Sequence, residues 1–237
     1  MKTNTIIVSL TRAIDRTKIM HDQIKKLKLK NIFFYSCFDG NNLTNDTYSI
    51  KINMKNGYCY RRGEDLSPRD IGCSISHLGA LSMAKAMNWE HVVIIEDDVI
   101  LAEDYEKRLD YLFKILPKDW EHVYLSGDPH FDASTTDIQK KMYKDFIQVI
   151  PTVYTNCTFA YMVKNTAYDK LIKKLTALEA TTDDIMNNFI FTDKKLISYT
   201  YFPFVAMGNP DLTSNIYPGL KPMDNHPSVV YFKNKML

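Results

Sequence analysis

The chain has 237 residues, 45% hydrophobic and 24% charged, which is the composition of an ordinary globular protein with enough apolar material for a sizeable core. Thirty Lys and Arg against 28 Asp and Glu leave a formal charge of +2, far short of the basic excess of general nucleic-acid binding, so no DNA or RNA partner is expected. Four cysteines, Cys37, Cys59, Cys73 and Cys157, are too sparse for a disulfide scaffold and lack C-x-x-C spacing, which predicts reduced thiols and a cytoplasmic setting.

Residues 6–10 form an apolar, branched run that predicts a buried strand and is too short for a signal-peptide core or a membrane span. Residues 15–30 carry Ile19, Ile24 and Leu27 at near-helical spacing, and residues 31–37 are again strand-like, ending in the turn Phe38-Asp39-Gly40. Residues 41–65 show no clear period and predict a long loop. Ser67-Pro68-Arg69-Asp70 is a helix start: Ser67 can cap, Pro68 suits the first turn, and Asp70 faces the positive end of the dipole. That helix should reach about Asn88 and lead into an apolar strand over residues 91–95. Further helices are predicted over 103–116 and 165–175, and strands over 122–125, 159–163 and 196–202, before a tail rich in Pro, Gly and Asn that is expected to wrap over a site. Alternating strands and helices predict an α/β fold with a Rossmann-like, mainly parallel central sheet flanked by helices. Without a linker or repeat, a single domain over residues 1–237 is expected.

Glu96-Asp97-Asp98 ends the apolar strand, and in open α/β sheets ligands bind at the carboxyl ends of strands. Three adjacent carboxylates repel one another unless a cation offsets them, and hard divalent ions take such oxygens while leaving positions open for substrate phosphates. The triplet therefore predicts Mn²⁺ or Mg²⁺ bridging a diphosphate. The plainer alternative is that Asp97 or Asp98 caps the following turn.

Two stretches, Leu66-Ser67-Pro68-Arg69-Asp70-Ile71-Gly72-Cys73-Ser74-Ile75-Ser76-His77-Leu78 and Ile94-Ile95-Glu96-Asp97-Asp98-Val99, resemble glycosyltransferase family 25. Val8-Ser9-Leu10 with Arg12 and Arg16, the Phe38-Asp39-Gly40 turn, and Thr182-Asp183-Asp184 match it in the same order. That family includes lipooligosaccharide galactosyl- and glucosyltransferases and collagen galactosyltransferases. The resemblance implies a GT-A type fold and transfer of a sugar from a nucleotide diphosphate with inversion.

Residue roles follow from that chemistry. A diphosphate leaving group calls for a divalent cation, and alternate residues of an extended segment face one way, so Glu96 and Asp98 are the metal-facing pair. Asp98 is the expected direct ligand, with Asp97 turned toward backbone or ribose. Inversion needs a general base for the acceptor hydroxyl, and Asp183 and Asp184, opening a helix expected over residues 184–189, are the candidates. Plain helix capping is the competing account, and the resemblance places Asp183 first. Ser9, Arg12 and Arg16 lie just past the first strand, where backbone groups could meet a nucleobase and a guanidinium could pair a diphosphate; a solvated arginine is the alternative for Arg16. Asp39 could accept from the base or ribose, or simply serve its turn. His77, one turn after Cys73, is by default a satisfied interior histidine, since one His and one Cys are too few ligands for zinc. The resemblance implies a role for His77, and more weakly Ser76, in holding the donor phosphate or the site acids.

Lys18, Lys25, Lys26, Lys28 and Lys30 crowd the first helix, which leaves peripheral contact with an anionic membrane surface open beside an ordinary solvated face. The leading expectation is a metal-assisted inverting hexosyltransferase with UDP-galactose or UDP-glucose as donor and a glycan acceptor such as lipooligosaccharide. A haloacid-dehalogenase-like phosphohydrolase ranks lower, because its nucleophilic Asp position is held by Glu96. A nucleotide-sugar binding module without turnover is the third reading.

Overall fold

The computed structural model describes residues 3–42, 58–59, 64–129 and 148–216. Its first half contains β1 (Asn4–Ser9), α1 (Ile14–Leu27), β2 (Ile32–Ser36), β3 (Tyr58–Cys59), β4 (Glu64–Asp65), α2 (Pro68–Ala86), β5 (His91–Glu96), β6 (Val99–Leu101) and α3 (Tyr105–Ile115). The second half adds β7 (His122–Pro129), β8 (Gln148–Pro151), β9 (Thr155–Lys164), α4 (Asn165–Thr176), α5 (Thr182–Asn187), a π-helical turn (Asn188–Thr192), β10 (Ser198–Phe202) and β11 (Ala206–Gly208).

Seven strands form the central sheet in the order β2-β1-β5-β9-β7-β10-β8. β2, β1, β5, β7 and β10 run in one direction, while β9 and β8 oppose them. The sheet is therefore mixed but mostly parallel, as the alternation of elements predicts. Period-two alternation splits the apolar residues of β1 and β5 between two cores. Ile6, Val8, Val92 and Ile94 pack with α2 and α4 on one face, and Ile7, Val93 and Ile95 pack with Met20 of α1 and with α3 on the other. A strand covered on both faces can be apolar throughout, which explains the run ahead of Glu96.

The start of α2 is a capping box. Ser67 Oγ accepts from the Asp70 N–H at 3.3 Å, and the Ser67 N–H donates to Asp70 Oδ2 at 2.8 Å. Close backbone packing joins this helix to the turn after β2. A Cβ on Gly40 would lie 2.3 Å from the Pro68 carbonyl oxygen, and one on Gly72 would lie 2.8 Å from the Phe38 carbonyl oxygen. Neither glycine leaves room for a side chain, so Gly40→Ala is expected to destabilise the fold by roughly 1–3 kcal/mol. An unchanged urea midpoint would show that the two segments can part freely.

Five short strands, β3, β4, β6, β8 and β11, lie outside the predicted elements, and β3 and β4 pair antiparallel inside the stretch predicted as a loop. β6 and β11 pair antiparallel, Ala206 opposite Leu101 and Gly208 opposite Val99, which brings the C-terminal segment beside the acidic triplet. The predicted helix over 184–189 instead begins at Thr182 and passes into the π-helical turn. Most of the predicted loop over 41–65, residues 130–147, and the tail beyond residue 216 lie outside the described residues. No described helix is long and apolar enough to cross a membrane.

Candidate active site

The carboxyl ends of β1, β2 and β5 and the opening residues of the antiparallel β9 meet at one edge of the sheet. A cavity of about 310 Å³ lies there, with Glu96, Asp97, Asp98, His77, Asp183 and Asp184 in its wall. The topology brings the two acidic motifs, more than eighty residues apart in sequence, to one cavity.

Within the triplet the three side chains take different partners. Glu96 Oε1 accepts from Thr158 Oγ1 at 2.6 Å and lies 3.5 Å from His77 Nε2. Burial works to raise the Glu96 pKa, but the contacts with His77, then Thr158 and Arg16, outweigh it and hold the carboxyl below its ordinary value. Asp97 Oδ2 accepts from Ser9 Oγ at 2.6 Å, and Asp97 Oδ1 accepts from Arg16 Nη1 at 3.0 Å. The same Arg16 nitrogen donates to Asp98 Oδ2 at 3.0 Å, and Arg16 Nη2 donates to the Thr213 carbonyl. Asp98 Oδ1 is buried and makes no hydrogen bond among the described residues. Burial first, then the charges of Glu96 and Asp97, push the Asp98 carboxyl up to about 7 against the opposing pull of Arg16.

The other residues expected to meet the nucleotide make the following contacts within the chain. Arg16, expected beside a diphosphate, is 8% exposed and committed to two carboxylates. Asp97 and Ser9, expected to meet the nucleotide, bond to each other, and Thr17 Oγ1 lies 3.0 Å from the same Ser9 oxygen. Ser76 donates to the Gly72 carbonyl at 2.6 Å and accepts from the Phe38 N–H at 3.1 Å, so its hydroxyl serves the turn after β2. His77 is a buried histidine whose Nδ1 pairs with Tyr161 Oη at 2.9 Å, and its other nitrogen faces Glu96. Arg12 and Asp39 form an ion pair at the cavity rim, Arg12 being 46% exposed in its side chain, and the guanidinium holds the Asp39 carboxyl below its usual range.

Asp183 and Asp184 are fixed by a different set of contacts. Thr182 Oγ1 lies 3.0 Å from Ser74 Oγ of α2, and Asn187 exchanges two hydrogen bonds with the Thr155 backbone, so α5 is tied at both ends. Asp183 Oδ2 accepts from the Cys157 N–H at 3.1 Å. Thr181 Oγ1 lies 2.6 Å from Asp183 Oδ1 and 2.9 Å from Asp184 Oδ2, yet a hydroxyl has a single hydrogen to donate. The two carboxylates compete for it. Burial raises the Asp183 pKa and the neighbouring Asp184 adds to the rise, against bonds from Thr181 and Cys157. Asp184 Oδ1 also accepts from Tyr154 Oη at 2.8 Å. Asp183 Oδ1 also accepts from the Asp184 N–H at 3.1 Å, a first-turn contact of the capping kind, whereas the cap residue Thr181 makes no side-chain bond to the helix backbone.

Cys37, Cys73 and Cys157 line the same cavity. Burial pushes Cys37 up to about 12 and Cys73 well above its ordinary value, so these two are not thiolate nucleophiles. On α1, Lys18 pairs with Asp22 and Lys26 with Glu103, each at 3.0 Å.

Thr158, Tyr161 and Tyr154 were not among the predicted site residues. Tyr161 pairs with Ile94 across the β5–β9 ladder, two residues before Glu96 and so on the same face, a relation visible only once that pairing is known. Tyr154 and Thr158 carry no comparable signal.

Among the described residues, no three His, Cys, Asp or Glu side chains converge to hold a metal alone. Asp98 does offer a buried, unbonded carboxylate oxygen beside two further acids, whereas Glu96 is engaged by Thr158 and His77. That donor set suits a hard cation completed by substrate oxygens, as Mg²⁺ is commonly held by one or two carboxylates plus phosphates.

Fold and site together define a glycosyltransferase of the α/β type. The structure is similar to that of a glycosyltransferase involved in the glycosylation of the major capsid of PBCV-1, with a TM-score of 0.52, 6% identity, and coverage of 90% of this chain and 95% of that one. Weaker likenesses are to A197 from STIV (TM-score 0.41, 12% identity, 93% and 100% covered) and mannose-1-phosphate geranyltransferase from Thermus thermophilus (0.39, 10%, 88% and 75%). The chain belongs to glycosyltransferase family 25, described as an LPS biosynthesis protein family, whose model matches residues 2–186. No curated protein matches the sequence.

Proposed function

We propose that this glycosyltransferase moves a hexose, galactose or glucose, from a UDP-sugar to a glycan acceptor such as lipooligosaccharide, with inversion and with help from a divalent cation. The observation that carries this reading is Asp98: a carboxylate oxygen buried without a partner at the end of β5, in the wall of a cavity it shares with Asp183 and Asp184. Mn²⁺ or Mg²⁺ at Asp98 would offset the charge that develops on the departing diphosphate. Arg16 holds Asp98 and Asp97 in place, Ser9 holds Asp97, and the His77–Tyr161 pair and Thr158 fix Glu96. Arg12 and Asp39, at the rim, are placed to meet the nucleotide as it enters.

In the transfer, the acceptor oxygen bonds to the anomeric carbon from the face opposite the diphosphate. The bond from that carbon to the diphosphate oxygen breaks, its electron pair leaves with the diphosphate, and the acceptor proton passes to a carboxylate. Asp183 is the carboxylate suited to receive it, because burial and its acidic neighbour make it more basic than a solvated aspartate. Asp184 and Thr181 orient it. The reading places the reaction in the cytoplasm, with the lysine-rich α1 available for contact with a membrane surface.

The full chain with Mn²⁺ is expected to release UDP from UDP-galactose or UDP-glucose, and Asp183→Asn to lower turnover by roughly 10²–10⁴-fold. Failure of the unaltered protein to release UDP from either donor would overturn the donor assignment, and full activity in Asp183→Asn would remove that residue as the base.

A further inference from the structure

Among the described non-glycine residues, Cys157 alone holds a left-handed backbone inside a strand. Its φ is 66°, whereas other positive-φ residues, such as Lys28, Asn88 and Leu178, follow the ends of helices. That region crowds Cβ against the backbone, most of all in a β-branched residue, and such strain persists where the surrounding structure imposes it, often at functional sites. Here the β7–β9 ladder imposes it. Ser126 pairs with Ala160 and Asp128 with Asn156, so Cys157, Thr158 and Phe159 stand opposite Gly127 alone. A Cβ on Gly127 would lie 2.4 Å from Thr155 Cγ2, so β7 has no room for a side chain opposite the bulge. Bulged residues leave the ladder, and their N–H groups need other partners. The Cys157 N–H donates to Asp183 Oδ2 at 3.1 Å, and the next side chain, Thr158, donates to Glu96 Oε1 at 2.6 Å. Two consecutive residues thus touch both acidic motifs, and both line the cavity.

We infer that Cys157 is a positioning residue for the transfer: its left-handed backbone, and not its thiol, sets Asp183 against the acids at the end of β5. This inference rests on the reading of Asp183 as the base and names what keeps that base in place. With six residues, α5 is too short to hold its first turn by itself, and its other tie to β9 runs through Asn187 and the Thr155 backbone, two residues before Cys157. If Cys157 left the left-handed region, its N–H would turn away from Asp183 Oδ2, leaving the carboxylate held through Oδ1 by Thr181 and the Asp184 N–H. An N–H on a carboxylate favours the ionised form, so its loss makes the carboxyl harder to ionise. The titratable groups facing Asp183 are Asp184 on its own helix, Cys73 of α2, Tyr124 of β7 and Cys157 itself. Burial first, and then neighbouring carboxylates that include Asp183, raise Cys73 and Tyr124, so neither titrates where the base works.

The test compares Cys157→Gly, which removes the thiol but suits a positive φ, with Cys157→Val, whose β-branched side chain disfavours it. In the full chain with Mn²⁺ and a UDP-hexose, Cys157→Gly is expected to keep the kcat/KM pH profile of the unaltered protein. Cys157→Val is expected to move the acid limb to higher pH, losing roughly tenfold more activity at the acid end than at the alkaline end. An unchanged profile in Cys157→Val overturns the inference, and so does a loss spread evenly over pH, which is what a merely structural residue would give. A displaced profile in Cys157→Gly also overturns it, by assigning the role to the thiol, and this arm stands even where Cys157→Val fails to fold. The ¹³C signal of the Asp183 carboxyl, titrated by NMR, reads the same contact without turnover. A chain that releases no UDP, yet whose Asp183 titrates at higher pH in Cys157→Val than in Cys157→Gly, keeps the hold of Cys157 on Asp183 and loses the transfer reading, so the two failures are distinguishable.

Discussion

Asp98→Asn is expected to lower donor turnover by roughly 10²–10³-fold while making the fold more stable at pH 8. The two effects have one cause. Burial and the neighbouring acids raise the Asp98 carboxyl to about 7, so at pH 8 the folded protein carries a charge that the site disfavours. A carboxyl raised from 3.8 to about 7 costs the ionised fold on the order of 2 to 4 kcal/mol, and a neutral amide removes that cost. The sign follows from proton counting. Between pH 4 and 7 the folded state binds more protons at this position than the unfolded state, so its stability contribution falls as pH rises through that window and is constant above it. Asn keeps an oxygen that can accept from Arg16, so the ion-pair geometry need not collapse. The gain in melting temperature should therefore be present at pH 8 and absent near pH 4. Added Mn²⁺ should raise the melting temperature of the unaltered protein at pH 8 and leave Asp98→Asn unmoved. Retained UDP release in the variant, or an equal Mn²⁺ effect on both proteins, would remove Asp98 from the cation site.

The parts of the fold that were legible in the sequence are those whose physics is local. The apolar run of β5 reads as a strand covered on both faces, and Ser67, Pro68 and Asp70 mark the start of α2 to the residue. The chemistry at the strand end was legible because ligands gather at carboxyl ends of α/β strands, and Glu96, Asp97 and Asp98 do line a cavity there. What was not legible depends on pairing at long range. β6 and β11 have three residues each, too few to show a period, and only their mutual pairing makes them strands. The direction of β9 is set by its neighbours β5 and β7, and with it the approach of Thr158 and Tyr161 to Glu96 and His77. Arg16 shows the same gap: its spacing from the first strand suggests a ligand contact, yet its partners lie 81 and 82 residues away on the β5–β6 turn.

Arg16→Met should be among the most destabilising substitutions in the chain, and the loss should grow with pH. One guanidinium nitrogen lies 3.0 Å from both Asp97 Oδ1 and Asp98 Oδ2, with the arginine side chain 10% exposed and the two acids 7% and 19% exposed. Met fills much of the same volume, so the cost comes from charge rather than from a cavity. Removing one partner of a buried ion pair leaves an uncompensated charge worth about 3–5 kcal/mol, and here two carboxylates lose the same partner with Glu96 close by. Both acids already sit above their ordinary pKa with Arg16 in place, Asp97 through burial and Asp98 through burial and Glu96. Without the guanidinium they rise further, so protonation relieves most of the repulsion at pH 5 and only part of it at pH 8. Urea denaturation at the two pH values should give a small loss at pH 5 and a larger one at pH 8. Combining Arg16→Met with Asp98→Asn should recover part of the pH 8 loss, because one of the stranded charges is gone. Non-additivity of that kind is the signature of direct contact. A loss that is equal at both pH values, or that the second substitution leaves untouched, would mean that Arg16 supports the fold through packing and the Thr213 carbonyl rather than through the acidic triplet.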